Sequence, residues 1–195
     1  MAENEKSPIV FRAAWQKADP RLEHDAVDYW RGSGIRLPKG VDPDERARQL
    51  CAVAFLQERP VGVSTATLEL VPQFRCRMAL YRCSVKLGLR HQPLSWRITE
   101  FSQGVLEQWS LENSHEKVMG LMAVMQSREL IMRYPQVFGV ANMVFAGFTP
   151  AGFPIRVYWF KHATIPTEWP PRANRLEPTV RASWGEQLSV TPPER

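Results

Sequence analysis

The sequence predicts one mixed α/β domain, and three stretches carry that prediction. Residues 50–70, LCAVAFLQERPVGVSTATLEL, read as two β-rich runs joined by a short polar turn. Residues 77–87, RMALYRCSVKL, alternate strictly. Ala79, Tyr81, Cys83, Val85 and Leu87 fall on one face, and Met78, Leu80, Arg82, Ser84 and Lys86 on the other. Ile98, Phe101, Val105, Leu106 and Trp109 then recur at helical spacing and predict an amphipathic helix.

The other elements follow in order. Residues 8–15, PIVFRAAW, read as a first strand. Residues 20–31 read as a helix, with Leu22, Ala26, Val27, Tyr29 and Trp30 on one side and Asp19-Pro20 as its start signal. The polar stretch 31–46, broken by glycines and prolines, predicts a loop or interrupted helix long enough to lie over a site. Glu58-Arg59-Pro60 is expected to turn the hairpin, and Pro72 to end it. GLRHQPLS leads into the long helix, which Glu112-Asn113-Ser114 breaks. VMGLMAVM (118–125) reads as a buried strand, and 127–134 as a short helix closed by Pro135 and Gly139. NMVFAGF and IRVYWF predict a last hairpin turned at TPAGFP. After residue 165 periodicity gives way to Pro166, Pro170, Pro171, Pro178, Pro192 and Pro193. The expected organisation is a domain at 1–165 and a wrapping or poorly ordered Pro-rich tail at 166–195.

Composition narrows the function. Of the 195 residues 44% are hydrophobic and 23% charged, which is ordinary for a globular chain. The N-terminus does not read as a signal peptide, and no apolar run nears the roughly 20 residues that span a bilayer, so a cytoplasmic protein is expected. Cys51, Cys76 and Cys83 have no CxxC spacing and no His/Cys cluster. They are expected to be reduced, buried thiols, and no metal site is expected. A net charge of +5 suits an anionic partner, whether a CoA-like molecule, an acidic carrier protein or nucleic acid. The basic residues are scattered rather than blocked.

The element order (strand, helical region, hairpin, strand, helix, strand, helix, hairpin) resembles that of the Gcn5-related N-acetyltransferase (GNAT) superfamily over residues 9–161. The resemblance implies an α/β (α+β) fold with a mixed, mostly antiparallel central sheet of six to seven strands flanked by helices. RMALYRCSVKL is similar to the family's fourth strand, which splays from the fifth and offers backbone groups to a pantetheine arm. Carried over, these belong to Cys83, Ser84, Val85 and Lys86. The family's Arg/Gln-x-x-Gly-x-Gly/Ala loop is met here by Arg90-His91-Gln92-Pro93-Leu94-Ser95. Such a loop holds pyrophosphate with free N–H groups at a helix N-terminus. Arg90 matches, Ser95 is small enough to cap the helix, and Pro93 lacks the N–H that a glycine would donate. Arg90, His91 and Arg97 can compensate with charge.

The family's Asn-x-x-Ala-x-x-x-Tyr is met by Ser127-x-x-Leu130-x-x-x-Tyr134. The resemblance makes Ser127 a donor-binding residue and Tyr134 the acid that protonates the leaving thiolate, a transfer between groups of similar pKa. No base is marked. Glu69, Glu100, His91 and His115 are the candidates. The expected activity is transfer of an acyl group from acyl-CoA, or from acyl-phosphopantetheine on a carrier protein, to a small-molecule or peptide amine. Two other readings stand beside it. One is a non-catalytic GNAT-like binding or assembly domain. The other is a nucleic-acid module built on PQFRCRMALYR, a stretch that its strand pattern explains better. Edge hairpin 143–160 is where a homodimer would pair.

Overall fold

The computed structural model describes residues 8–33, 35, 37–89 and 93–164. The expected Pro-rich tail lies outside them. Seven strands form one sheet in the order β1-β2-β3-β4-β5-β7-β6. In chain order the elements are β1 (Ile9–Ala13), α1 (Pro20–Gly32), α2 (Pro43–Ala47), β2 (Leu50–Leu56), β3 (Arg59–Val71) and β4 (Cys76–Val85). They continue with α3 (Leu94–Glu112), β5 (Val118–Val124), α4 (Arg128–Arg133), β6 (Val144–Phe148) and β7 (Pro154–Trp159). Every neighbouring pair is antiparallel except β4 and β5, which run parallel because α3 crosses between them. This is the mixed, mostly antiparallel sheet that the sequence predicts.

The local reasons are the expected ones, with a few differences. Asp19 caps α1 by accepting the N–H groups of Arg21 and Leu22, and the five apolar residues singled out in this helix are its buried ones. The hairpin turn falls on Gln57-Glu58, both at positive φ, so the two-residue loop matches strand twist. Pro60 is therefore a strand residue, displaced from the expected turn. β4 ends at Val85, two residues early, because Leu87–Leu89 coil into a 3-10 turn. Asp42 caps α2, which interrupts the predicted loop.

The core has two sides. On one face α1 packs Leu22, Ala26, Val27 and Trp30 against Val53, Phe55 and Val63. On the other, α3 sets Leu94, Ile98 and Leu106 against Ala52, Ala54, Ala79 and Leu121. The predicted apolar stripe of α3 is only part of its buried side. Thr99, Ser102, Gln103 and Ser110 are buried too, and each is satisfied. Ser102 donates to Ile98 O and meets Ser64 Oγ at 2.9 Å, Gln103 donates to Ala141 O, and Ser110 donates to Val118 O. These bonds fix the helix to the sheet in one register.

Candidate active site

The sheet opens at its parallel pair. β4 and β5 are in register as far as Tyr81 and Ala123. Beyond that level β4 continues to Val85, whereas β5 ends at Val124 and leads through Met125–Ser127 into α4. Between the diverging ends lies a cleft of about 920 Å³. From one side it is lined by Ser95, Trp96 and Thr99 of α3 and by Ser127, Leu130 and Tyr134 around α4. From the other it is lined by Trp30, the 37–42 loop, Arg46, Thr65, Thr67 and Glu69. The described part of the loop after α1 lies along this cleft.

The register decides which β4 backbone groups face the opening. Lys86 N–H donates to Val61 O, and Val63 and Ser84 are opposed on the same ladder. Antiparallel pairing alternates, so Ser84, like Lys86, turns its backbone toward β3. Cys83 and Val85 turn theirs the other way, toward the gap. Lys86 is doubly engaged, since its carbonyl also accepts from Leu89 N–H. Of the four carried-over positions, Cys83 and Val85 thus present main chain to the opening and Ser84 and Lys86 do not. Ser84 serves the opposite face, where its hydroxyl accepts the Trp30 indole N–H at 3.2 Å.

Cys83 is exposed at the cleft and Cys76 half-buried, a correction to the expectation of three buried thiols. An apolar-alternating strand normally buries its inward face, but here the neighbouring strand has moved away. Burial among protein atoms raises the Cys83 thiol pKa, with the neighbouring Tyr81 and Thr99 hydroxyls acting against the rise. Cys51 is fully buried, and burial pushes its thiol up to about 12.

Ser95 is the second residue of α3, not its cap. Pro93 occupies the cap position and makes no side-chain cap bond. Ser95 still faces the cleft, and its carbonyl accepts the Thr99 hydroxyl at 2.7 Å. Because that bond uses the only Thr99 hydroxyl proton, the buried Tyr81 hydroxyl is the donor in its 3.3 Å contact with Thr99. Arg90 and His91 lie outside the described residues. Ser127 caps α4 by accepting Leu130 N–H, and Tyr134 ends that helix. The Tyr134 ring packs edge-on to Trp96, with centroids 4.9 Å apart. Among the candidate bases in the described residues, only Glu69 lines the cleft. Glu100 is exposed on α3, and His115 is 76% exposed beside Glu116 in the turn after α3.

Sequence reasoning missed Trp96, Tyr81 and Arg46. Trp96 and Arg46 sit in helix ends with no motif around them, and Tyr81 read as ordinary core. Arg46 has a specific oddity. Its guanidinium pKa is lowered to about 10, first by burial and then by the like charge of Arg82. Its Nη1 is buried and meets no hydrogen-bond partner among the described residues. Arg82 is itself lowered by burial, with Glu69 acting against that. Among the described residues no group of three metal-ligating side chains occurs, and no helix is long and apolar enough to cross a membrane.

The sheet order, the single parallel pair and its opening define the fold of the Gcn5-related N-acetyltransferases, here in divergent form. The chain is similar to the loading GNATL domain of CurA from Lyngbya majuscula. That match has 14% identity and a TM-score of 0.55, and covers 80% of this chain and 100% of that one. Two further similar structures are a GNAT-family acetyltransferase from Streptococcus pneumoniae (12% identity, 78% and 99% covered, TM-score 0.49) and an N-acetyltransferase from Staphylococcus aureus Mu50 (15%, 80% and 100%, 0.48). No family model matches the sequence, and no curated protein matches it.

Proposed function

We propose that the protein is an N-acyltransferase that moves an acyl group from a thioester to an amine. The observation that carries this reading is the parting of β4 from β5 beyond Tyr81 and Ala123, which gives a thioester arm a channel between two strands. The residues fit such a donor. Cys83 turns backbone toward the channel, α3 aims its N-terminus at it through Ser95 and Trp96, and the volume takes a pantetheine-sized arm. Pro93 removes one N–H from the helix start, so phosphate is held less by backbone than by charge. A weaker phosphate grip in a chain of net charge +5 also suits a donor on an acidic carrier protein.

In the reaction the amine nitrogen bonds to the thioester carbonyl carbon and the C–S bond breaks. The nitrogen loses its proton toward Glu69, directly or through water, and the departing thiolate takes the Tyr134 phenol proton. The phenolate regains its proton from solvent. The products are an amide and a free thiol, and Tyr134 ends as it began.

Thermal-shift titration of the full chain with CoA, acetyl-CoA and longer acyl-CoAs tests the reading. Binding raises the melting point by mass action, about 2.7 kcal/mol of stabilisation at a hundredfold excess over Kd. Acyl transfer to an amine panel, followed as thiol release, should accompany it. No shift with any of these, and no thiol release from acyl-carrier protein, would leave a non-catalytic binding domain.

A further inference from the structure

The acceptor side of the cleft holds a charge arrangement that the acyltransfer chemistry does not need. Arg46 comes from α2 and Arg82 from β4, far apart in sequence, yet both line the cleft, and the charge of Arg82 reaches Arg46. Both are half-buried. One Arg46 nitrogen, Nη1, is buried with no acceptor among the described residues. Burying a guanidinium beside another and leaving a donor unmatched is costly unless an anion supplies the missing acceptor. Lys39 is a further cation of the lining. Glu69 is the carboxylate that acts on Arg82. Glu45 and Asp42 line the same wall, and Asp42 spends one carboxylate oxygen on the α2 cap. Arg156 is committed to the carbonyls of Tyr134, Gln136 and Val137.

We infer that Arg46 and Arg82 form the binding site for a carboxylate on the acceptor, so that the amine acylated is a small amino acid. The inference rests on the acyltransferase reading and names its acceptor class. Glu69, Glu45 and Asp42 share this wall with the two guanidiniums and offset much of their charge, which suits a monoanionic carboxylate better than a phosphate dianion. The planar fork of an arginine takes both oxygens of a carboxylate. Position agrees with the chemistry. Arg82 is the first β4 residue past the last β4–β5 pair. A carboxylate held there puts an amine one or a few bonds away at the mouth of the channel, where the thioester carbonyl would lie. The Thr65 and Thr67 hydroxyls line the wall beside it.

The test has two arms, both on the full chain. In the first, acetyl-CoA is the donor. Each proteinogenic L-amino acid is compared with the amine that lacks its carboxylate, for example phenylalanine with phenethylamine and valine with isobutylamine. The preferred amino acid is expected to show a kcat/KM about tenfold to hundredfold above its amine. Arg46→Gln should erase that ratio by raising KM for the amino acid, with the acetyl-CoA KM unchanged. Arg46→Lys, which keeps the charge and loses the fork, should fall between. In the second arm, ligand-observed NMR measures binding of the same amino acids, of the paired amines and of inorganic phosphate, with no donor present. Binding of an amino acid but not its amine, weakened by Arg46→Gln while circular dichroism is unchanged, supports the site. Equal use and equal binding of amine and amino acid, or stronger binding of phosphate, would overturn it. If the NMR arm succeeds and no thioester donor binds or turns over, the acyltransferase reading fails and the carboxylate site stands. If acyl-CoA turns over without carboxylate preference, the reverse holds.

Discussion

Trp96, in the first turn of α3, and Tyr134, at the end of α4, meet edge to face with ring centroids 4.9 Å apart and planes at 72°. The contact ties the two helices that flank the channel and holds the phenol at its edge.

Tyr134→Phe keeps this ring contact and removes only the hydroxyl. Stability should change by no more than about 0.5 kcal/mol. Acyl transfer should fall about a hundredfold in kcat, with donor KM unchanged, as for loss of a general acid. Steady-state kinetics beside a urea melt decide it. Unchanged kcat would remove Tyr134 from the mechanism.

Arg156 of β7 anchors the chain that carries Tyr134. One guanidinium nitrogen donates to Tyr134 O at 2.7 Å and to Gln136 O at 2.8 Å, and the other to Val137 O at 3.4 Å. Arg156→Gln should lower kcat and make residues 134–140 more accessible to protease. The cost in stability should be about 1–3 kcal/mol, since carbonyls are left without donors. Limited proteolysis with mass spectrometry reads the first effect, and thermal melting the second.

Two glycines should respond oppositely. A Cβ on Gly120 of β5 would press into the Tyr158 carbonyl and crowd the Met78 methyl. Gly120→Ala should therefore destabilise by about 1–3 kcal/mol. Gly104 of α3 is exposed, with open space where a Cβ would sit. Gly104→Ala should stabilise by about 0.5–1 kcal/mol through helix propensity. Denaturant titration of both variants checks the pair.

Stability should fall at high pH. Burial raises the Cys51 thiol to about 12 from 9.0, and raises the buried Tyr81 phenol as well. A group whose folded pKa is raised contributes its full stability below the unfolded value. That contribution is lost as pH climbs toward the folded value. Urea midpoints should therefore drop from about pH 9 upward, and Cys51→Ala should flatten the slope. The exposed Cys83 should be the thiol that iodoacetamide modifies first, with acyl-CoA protecting it. Peptide mapping identifies the labelled thiol.

Much of the fold was legible because periodicity survives burial. The five residues named in α1 are its core residues, and Ala79, Tyr81 and Val85 of β4 are buried on the face that the alternation named, with Cys83 the exception. What escaped depended on contacts across the sheet. The buried polar side of α3 is satisfied by Ser64, Ala141 and Val118, none adjacent in sequence. Pro60 looks like a turn residue, but the turn came from two residues at positive φ that carry no glycine signal. The site divided in the same way. Ser127 and Tyr134 lie on one short helix and share a spacing, so they could be found together. Arg46 and Arg82 meet only after α2 and β4 are assembled, and no spacing announces it.

The opening between β4 and β5 also makes the sheet unfinished. A ligand threaded there would lie alongside Cys83 as an extra strand, so the protein would be more cohesive with its donor than without it. The Cys83 amide proton should then exchange with solvent more slowly once the donor is in place, with those of Arg82 and Ser84 little changed. Letting the spent thiol go would require that added strand to peel away. On the proposed acyl transfer, the step that ends each cycle would be a small act of unfolding, and turnover would be set as much by how loosely the product is held as by the chemistry.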